Sequence, residues 1–276
     1  YDELIFGKPY GDVYIDDLAL TFTSSNDIKQ KLEKLKYNFI IPMAGEGKRF
    51  KDVGIEKPKF MIKVKDKTMF QYAMESLPFD FAKKVYFICL KDHEEEFNVK
   101  QFIKNIMSQN FKNVEYKIIL IQQKTRGQVE TVLSIKEFID NVQPILIYNI
   151  DTSFKSTRLK SRLTVMNNQE IDGILGGFFS SDPKLSFIEI SSDGIVKKIQ
   201  EKEPISDLAS TGLYIFSKGS DFISASEKMI KNNMLIKNEF YISEIYNILI
   251  KEQKKFIVDI ADECFLFGTP EDLKKK

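Results

Sequence analysis

The feature that most constrains the fold is an alternation of short apolar runs with longer amphipathic stretches, which starts at Asn38. Strand-like runs occupy residues 39–41, 85–90, 116–121 and 144–150, and helical patterns near 68–77, 94–109 and 128–140 lie between them. Strands that alternate with helices form parallel pairs joined by crossovers, with helices on both faces of the sheet. The sequence therefore predicts an α/β fold with a mostly parallel sheet.

The pattern changes after Asp151. Strand-like runs at 173–179, 185–191 and 195–200 follow one another closely, and Ser192-Asp193-Gly194 is typical of a hairpin turn. These runs predict a small antiparallel insertion. A strand at 211–216, helices near 218–231 and 242–252, a strand at 256–260 and a helix that begins at Pro270 are expected to complete the α/β body.

Charge and composition exclude several functions. The chain of 276 residues has 41 Lys and Arg against 40 Asp and Glu, a net charge of +1, so no overall field favours nucleic acid. No apolar run reaches the roughly 18 residues that a membrane span needs. Cys89 and Cys264 lie far apart without metal-ligand spacing, which indicates free thiols in a reducing compartment. We expect a cytoplasmic protein without nucleic-acid or membrane partners.

The segment PMAGEGKRF at residues 42–50 is the first candidate site. Gly45 and Gly47 follow a buried strand, and their backbone N–H groups can approach an anion at the open edge of an α/β sheet. Lys48 and Arg49 add positive charge there. The segment lacks the third glycine of a dinucleotide fingerprint and the Gly-Lys-Ser/Thr of a P-loop. A surface loop with two solvated cations is the alternative interpretation.

This segment belongs to the first of several short motifs that follow one another along the chain. They are IIPMAGEGKRF at 40–50, KPKFMIKV at 57–64, GQVETVL at 127–133, YNIDT at 148–152, EKEP at 201–204, TGLYIF at 211–216 and FGTPEDL at 267–273. In this combination the chain resembles the sugar-phosphate nucleotidyltransferases of capsule biosynthesis over nearly all of residues 38–273. The resemblance implies a Rossmann-like fold with its antiparallel insertion on the sugar side. It also implies Mg²⁺-dependent transfer of a nucleotidyl group from a nucleoside triphosphate to a sugar or polyol phosphate, with release of pyrophosphate.

The resemblance assigns the phosphate chemistry to three charged side chains. Arg49 would bind the triphosphate, and Lys59 would bridge the α-phosphoryl group and the incoming phosphate, with Lys57 as the rival lysine. Asp151 would hold Mg²⁺ against the triphosphate oxygens. The family often has a second aspartate just before Gly-Thr-Pro, but Leu266-Phe267 occupy that place, which leaves a second metal ligand in doubt. The residues expected to complete the triphosphate cradle are Ala44, Gly45, Glu46, Gly47 and Lys48.

The same resemblance places the base and the acceptor. Gln122 and Gln123 carry amides that both donate and accept hydrogen bonds, which suits a pyrimidine edge, although they are equally compatible with an ordinary polar loop. Gly127 would let the base pack on backbone, and Asn149 is predicted to bind the nucleotide as well. The predicted acceptor-binding residues are Glu201, Lys202 and Glu239.

Residues 1–34 form a separate unit in this interpretation. Lys8 and the paired acids Asp16-Asp17 after Val13-Tyr14-Ile15 resemble the closing portion of haloacid-dehalogenase-type phosphatases. The start at Tyr1 leads us to expect that a longer parent chain carries the rest of that domain. We divide the chain into a phosphatase-like remnant with a linker at 1–34 and a nucleotidyltransferase domain at 35–276.

The predicted donor is a pyrimidine triphosphate, CTP before UTP, and the predicted product is a precursor of capsular polysaccharide. A homodimer is one assembly compatible with this prediction. A glycosyltransferase with a related sheet is the rival enzyme, but Asp151-Thr152-Ser153 lacks the second acid that such enzymes usually place two residues after the first. A nucleotide-sugar-binding protein without catalysis would be expected to have lost Lys59 or Asp151, and both are present.

Overall fold

The computed structural model describes residues 36–166 and 170–274. The predicted phosphatase remnant, with Asp16-Asp17, lies outside the described residues. Within the described ranges, no helix is long and apolar enough to cross a membrane.

The strands of the described chain belong to one large sheet and two small ones. They are β1 (Tyr37–Met43), β2 (Lys63–Val64), β3 (Lys67–Thr68), β4 (Ala82–Leu90), β5 (Tyr116–Ile121), β6 (Ile145–Tyr148), β7 (Thr152–Lys155), β8 (Gly173–Phe179), β9 (Ser186–Ile190), β10 (Val196–Glu201), β11 (Leu208–Phe216), β12 (Phe256–Ile260) and β13 (Glu263–Leu266). The large sheet has nine strands in the order β10-β9-β11-β6-β1-β4-β5, and β8 pairs with both β11 and β12.

The parallel half of this sheet is built from the apolar runs that the sequence predicts as strands. β1 pairs in parallel with β4 and β6, and β4 pairs in parallel with β5. Every residue of β1 is buried, because both faces of the sheet are covered. The carboxyl ends of these strands therefore meet at one edge, where the glycine-rich segment begins.

Helices cover both faces of the sheet. They are α1 (Lys48–Lys51), α2 (Met69–Glu75), α3 (Lys91–Phe97), α4 (Val99–Asn110), α5 (Gln128–Leu133), α6 (Lys136–Ile139), α7 (Leu159–Met166), α8 (Gly219–Lys231), α9 (Ile242–Lys251) and α10 (Pro270–Leu273). Alternate residues of β1 divide between two apolar cores, because successive side chains of a strand point to opposite faces. Ile40 packs in the core with α5, α8 and α9, while Phe39 and Ile41 pack in the core with α2, α4 and α7.

The antiparallel half extends the same sheet. β11 runs antiparallel to β6 and β8, with an irregular register between Ser210 and Tyr214 where Gly212 has a φ of 79°. β9 and β10 form the predicted hairpin around Gly194, whose φ is 82°. The hairpin meets β11 through the register pair of Ala209 with Phe187. The α/β fold with a mostly parallel sheet and small antiparallel parts is confirmed.

The two small sheets are antiparallel pairs that the sequence pattern does not predict. β2 pairs with β3, and β7 pairs with β13. In the second pair Thr152 lies opposite Leu266, which brings the motif at residues 267–273 beside Asp151.

Candidate active site

A cleft of about 830 Å³ lies at the carboxyl edge of the parallel strands. Residues from the segment after β1, the loop after β5, the end of β6 and the middle of β11 form its walls and floor. The sequence-predicted residues that line the cleft are Ala44, Gly45, Glu46, Gly47, Lys48, Arg49, Lys59, Gly127, Asn149, Asp151, Glu201, Lys202 and Glu239. The structure therefore brings together residues that are far apart in the chain, and their individual roles stay predictions.

The glycine-rich segment forms one wall. Gly47 has a φ of 67°, a left-handed conformation that glycine adopts without a steric penalty, and the short helix α1 follows it. Phe50 is buried and anchors this helix, while Lys48 and Arg49 remain exposed beside the cleft. Glu46 pairs with Lys124 of the loop after β5 at 2.5 Å. The hydrogen bond from Lys124 lowers the pKa of the Glu46 carboxyl.

Lys59 and Asp151 meet in the cleft. The Lys59 Nζ donates to Asp151 Oδ2 at 2.5 Å, and the two side chains are 24% and 22% exposed. Lys59 opens a 3-10 turn at Lys59–Met61 whose next residue, Phe60, is buried. Burial raises the pKa of the Asp151 carboxyl, but Lys59 outweighs burial and the net pKa is lowered. The rival Lys57 is exposed and does not line the cleft.

The donor set beside Asp151 fits Mg²⁺. Mg²⁺ is commonly bound through one or two carboxylates together with substrate phosphates and waters, so a single well-placed aspartate suffices. A Cβ built on Gly268 would lie 3.8 Å from Asp151 Oδ2 and 3.9 Å from Asp272 Oδ2, which places a second carboxylate nearby. Asp272 also accepts a hydrogen bond from the Thr269 backbone at 3.0 Å as part of a helix cap. Among the described residues, no group of three or more His, Cys, Asp or Glu side chains could hold a metal by itself.

Two residues predicted to face the base do not line the cleft. Gln122 and Gln123 are exposed and lie outside the cleft lining, because the loop after β5 turns into the cleft only at the following residues. Gly127, at φ 134°, packs so closely on Phe240 that an added Cβ would lie 2.6 Å from its backbone N and O. Phe240 N donates to Arg126 O at 2.7 Å, so two loops close this wall together.

The far end of the cleft carries the predicted acceptor residues. Glu201 is 7% exposed and accepts hydrogen bonds from Ser186 Oγ and, at 3.0 Å, from Ser243 Oγ. Lys202 donates to the Tyr241 hydroxyl and lies 4.5 Å from its ring centroid. Burial and the neighbouring Glu239 raise the pKa of the Tyr241 hydroxyl.

Two lysines at this end were missed by the sequence analysis. A side pocket of about 270 Å³ opens beside the cleft and is lined by Arg49, Pro183, Lys184, Lys202 and Lys237. Lys237 and Asn238 have φ values of 47° and 65°, both left-handed, in a tight turn closed by hydrogen bonds between Ile236 and Glu239. Positive φ is uncommon for a lysine, and such strain is concentrated at functional sites. The signal available in sequence was the charge of Lys184 and Lys237 alone, which does not distinguish them from solvated lysines.

A cleft lined by cations at the carboxyl edge of the sheet is the place where open α/β sheets bind their ligands. The model of the nucleotidyl transferase family matches residues 39–259, and the chain belongs to this family. Proteins of the family bind nucleoside triphosphates and sugar phosphates.

Several solved structures share the fold. The nucleoside-diphosphate-sugar pyrophosphorylase from Vibrio cholerae RC9 is 27% identical, with a TM-score of 0.73, and the match covers 86% of this chain and 98% of that one. The inositol-1-phosphate CTP transferase from T. maritima is 15% identical, with a TM-score of 0.68 and coverage of 86% and 91%. A UDP-glucose pyrophosphorylase complexed with UDP-glucose is 20% identical, with a TM-score of 0.67 and coverage of 87% and 96%. No curated protein sequence matches the chain.

Proposed function

We propose that the protein transfers a nucleotidyl group from a pyrimidine triphosphate, CTP before UTP, to a sugar or polyol phosphate. The products are pyrophosphate and an activated precursor for capsular polysaccharide, made in the cytoplasm. The observation that carries the proposal is the contact of Lys59 with Asp151 between the glycine-rich segment on one side and Lys202 on the other. A cation and a carboxylate thus lie where a triphosphate and a second phosphate would meet.

The chemistry follows from this placement. An oxygen of the acceptor phosphate attacks the α-phosphorus, a new O–P bond forms, and the bond to pyrophosphate breaks. Negative charge then develops on the α-phosphoryl group and on the leaving pyrophosphate, so fixed cations and N–H donors lower the barrier. Arg49 and the backbone of residues 44–48 would bind the triphosphate, while Lys59 would contact the reacting phosphoryl group. Asp151 would hold Mg²⁺, which when bound neutralises charge on the phosphate oxygens.

The acceptor phosphate would be bound by the lysines at the far end. Lys184, Lys202 and Lys237 line one side pocket together with Arg49, so the acceptor phosphate would sit within reach of the triphosphate. One carboxylate oxygen of Glu201, Oε2, accepts from Ser186 and Ser243, and Glu201 lines the cleft, where its other oxygen would accept from hydroxyl groups of the acceptor.

The choice of base rests on the resemblance to capsule enzymes. Structural relatives described as a CTP transferase and as a UDP-glucose pyrophosphorylase share this fold, which keeps UTP as the alternative donor.

The test is to mix the protein and Mg²⁺ with each of the common nucleoside triphosphates and a panel of sugar and polyol phosphates, and to measure pyrophosphate release. We expect release with CTP that depends on the acceptor and is lost in Lys59→Ala. Release of pyrophosphate only with UTP would show that the donor is UTP and not CTP. Transfer of sugar from a nucleotide sugar without pyrophosphate release would instead identify a glycosyltransferase, and ligand binding without turnover would identify a binding protein.

A further inference from the structure

The floor of the cleft contains two amide side chains that contact each other. Gln128, the first residue of α5, donates from Nε2 to Asn149 Oδ1 at 2.7 Å, and both residues line the cleft. We call them the amide pair. Within the described part of the chain, the other amide atoms of the two side chains, Gln128 Oε1 and Asn149 Nδ2, make no hydrogen bond. The pair therefore has one acceptor and one donor left for a ligand.

Close packing fixes the position of the amide pair. A Cβ on Gly212 would lie 2.5 Å from Asn149 Nδ2, and Asn149 N donates to Gly212 O at 3.0 Å. Gly127 holds Gln128 from the other side through its contact with Phe240. Side chains held in this way present their polar atoms in one geometry, which is a requirement for selective recognition.

The amide pair is continuous with the acceptor end of the cleft. Gly212 N donates to Ser210 Oγ at 3.0 Å, and Ser210 and Ser186 both contact the buried Tyr214 hydroxyl, whose pKa is raised by burial and by Glu201. Ser186 in turn donates to Glu201. A strip of polar groups thus runs along the floor from Gln128 to Glu201.

Thr211 is the residue next to Gly212 beside this strip. Its side chain is 1% exposed, and its Oγ1, which has no hydrogen-bond partner among the described residues, packs against β8, where a Cβ built on Gly176 would lie 2.2 Å from it. Buried hydroxyls nearly always have a partner, and an unpartnered one costs about 1–3 kcal/mol. Thr211 Oγ1 is thus closed off from the cleft, and the unused hydrogen-bonding capacity that a ligand can reach is the one acceptor and the one donor of the amide pair, a set that suits hydroxyl groups.

We propose that the amide pair of Gln128 and Asn149 is a specificity-determining element that hydrogen-bonds hydroxyl groups of the acceptor, on the same polar strip as Glu201. The acceptor is therefore a phosphate of a polyhydroxylated compound, with hydroxyls on the side that faces the amide pair, rather than a phosphate of an amino alcohol. This inference rests on the proposed function. It assigns Asn149 to the acceptor rather than to the nucleotide, because its contacts run through Gly212 toward Ser210.

The test compares Gln128→Leu and Gln128→Glu with wild type, using the best polyol or sugar phosphate from the panel and its monodeoxy analogues. Wild type is expected to prefer the full acceptor over at least one monodeoxy analogue by about tenfold in kcat/KM, the value of one hydrogen bond. Gln128→Leu should abolish the preference for the full acceptor over that monodeoxy analogue. The KM for the triphosphate and the kcat/KM for the monodeoxy analogue should stay unchanged. Gln128→Glu, which keeps an acceptor oxygen, should retain part of the discrimination.

Gln101→Leu is the matched control, because Gln101 donates to Asn105 at 2.7 Å on the exposed surface of α4 and should change nothing. Thermal melts show that each variant is folded. An active enzyme whose discrimination survives Gln128→Leu, or whose KM for the triphosphate rises instead, overturns the inference while the proposed function stands. Equal activity of wild type with phosphoethanolamine also overturns it. Absence of pyrophosphate release from wild type with every pair of substrates overturns the proposed function itself.

Discussion

Lys59 and Asp151 are separated by 92 residues and yet form an ion pair of 2.5 Å in the centre of the cleft. The pair joins the segment that follows β1 to the end of β6, and the backbone of Asp151 also accepts from Phe267 N at 2.8 Å. Three distant parts of the chain therefore converge on one carboxylate. Under the proposed function Asp151 would also hold Mg²⁺, so Lys59 and the metal would compete for this carboxylate.

Replacement of Asp151 by Asn should preserve the fold but lower turnover by about a hundredfold or more, because the charge that we propose holds Mg²⁺ is removed. Pyrophosphate release measured over a range of Mg²⁺ concentrations checks this. Asp140→Asn, at an exposed position outside the cleft, should behave as wild type. Near-normal turnover of Asp151→Asn at saturating Mg²⁺ would remove Asp151 from the metal site.

Replacement of Lys59 by Ala should lower kcat by roughly a hundred- to a thousandfold, since a charge-assisted contact made mainly in the transition state contributes about 2.7–4 kcal/mol. Arg49→Ala should also raise the KM for the triphosphate. Lys57→Ala is the control, because Lys57 is exposed and outside the cleft lining. Steady-state kinetics distinguish the three variants, and a larger effect of Lys57→Ala would show that the lysine has been misassigned.

The Lys59–Asp151 pair should make stability depend on pH in a defined direction. Burial raises the pKa of the Asp151 carboxyl, but Lys59 lowers this pKa by more than burial raises it. The pKa in the folded state is therefore below the unfolded value of about 3.9. A depressed carboxyl pKa stabilises the fold above the unfolded value, and this contribution is lost as the pH falls through the folded value. The difference in unfolding free energy between wild type and Asp151→Asn should therefore be largest near neutral pH and shrink below about pH 4. Urea titrations across this range measure it, and a difference that grows on acidification would contradict the expectation.

Replacement of Gly127 by Ala should destabilise the protein by about 2–5 kcal/mol. The change combines a φ of 134° that a side chain rarely adopts with a Cβ only 2.6 Å from the Phe240 backbone. Gly194→Ala is the matched control, because Gly194 also has a positive φ, of 82°, but nothing lies within 4 Å of its added Cβ. Denaturant unfolding of both variants should show a clearly larger loss for Gly127→Ala. Equal losses would mean that the contact between the two loops is loose in solution.

Replacement of Lys237 by Gln should raise the KM for the acceptor phosphate by about tenfold to a hundredfold, the usual range for a lost hydrogen bond to a charged group. The KM for the triphosphate should change little. Lys231→Gln, at the exposed end of α8, serves as the control. An unchanged acceptor KM would mean that the turn at Lys237 and Asn238 is strained for another reason.

The central strands and the glycine-rich segment could be predicted because their signals are local. A buried strand such as β1 is apolar throughout, and Gly45 and Gly47 follow it directly. The sheets β2–β3 and β7–β13 could not be predicted in the same way. Their strands have two to four residues, too few for any periodicity, and the pairing of Thr152 with Leu266 depends on the whole intervening chain.

In the candidate site, too, residues in local motifs could be predicted, whereas residues that depend on long-range contacts could not. Lys59 and Asp151 belong to recognisable motifs, so their convergence was expected. Lys184 and Lys237 lie in loops, and only the three-dimensional approach of those loops places them in one side pocket. Gln122 and Gln123 were expected in the cleft by their position after β5. Which residues of a loop turn inward is set by a tertiary contact, here that of Gly127 with Phe240.

The hairpin of β9 and β10 meets β11 at a single register pair, Ala209 with Phe187, whereas the strands around the glycine-rich segment share continuous ladders. The hairpin also supplies Ser186 and Glu201 to the end of the cleft that we propose binds the acceptor. Under the proposed function, substitutions within the hairpin are expected to change the acceptor without altering the continuous ladders around the glycine-rich segment. Under the proposed function, we therefore expect the acceptor to diversify more easily among related proteins than the triphosphate does.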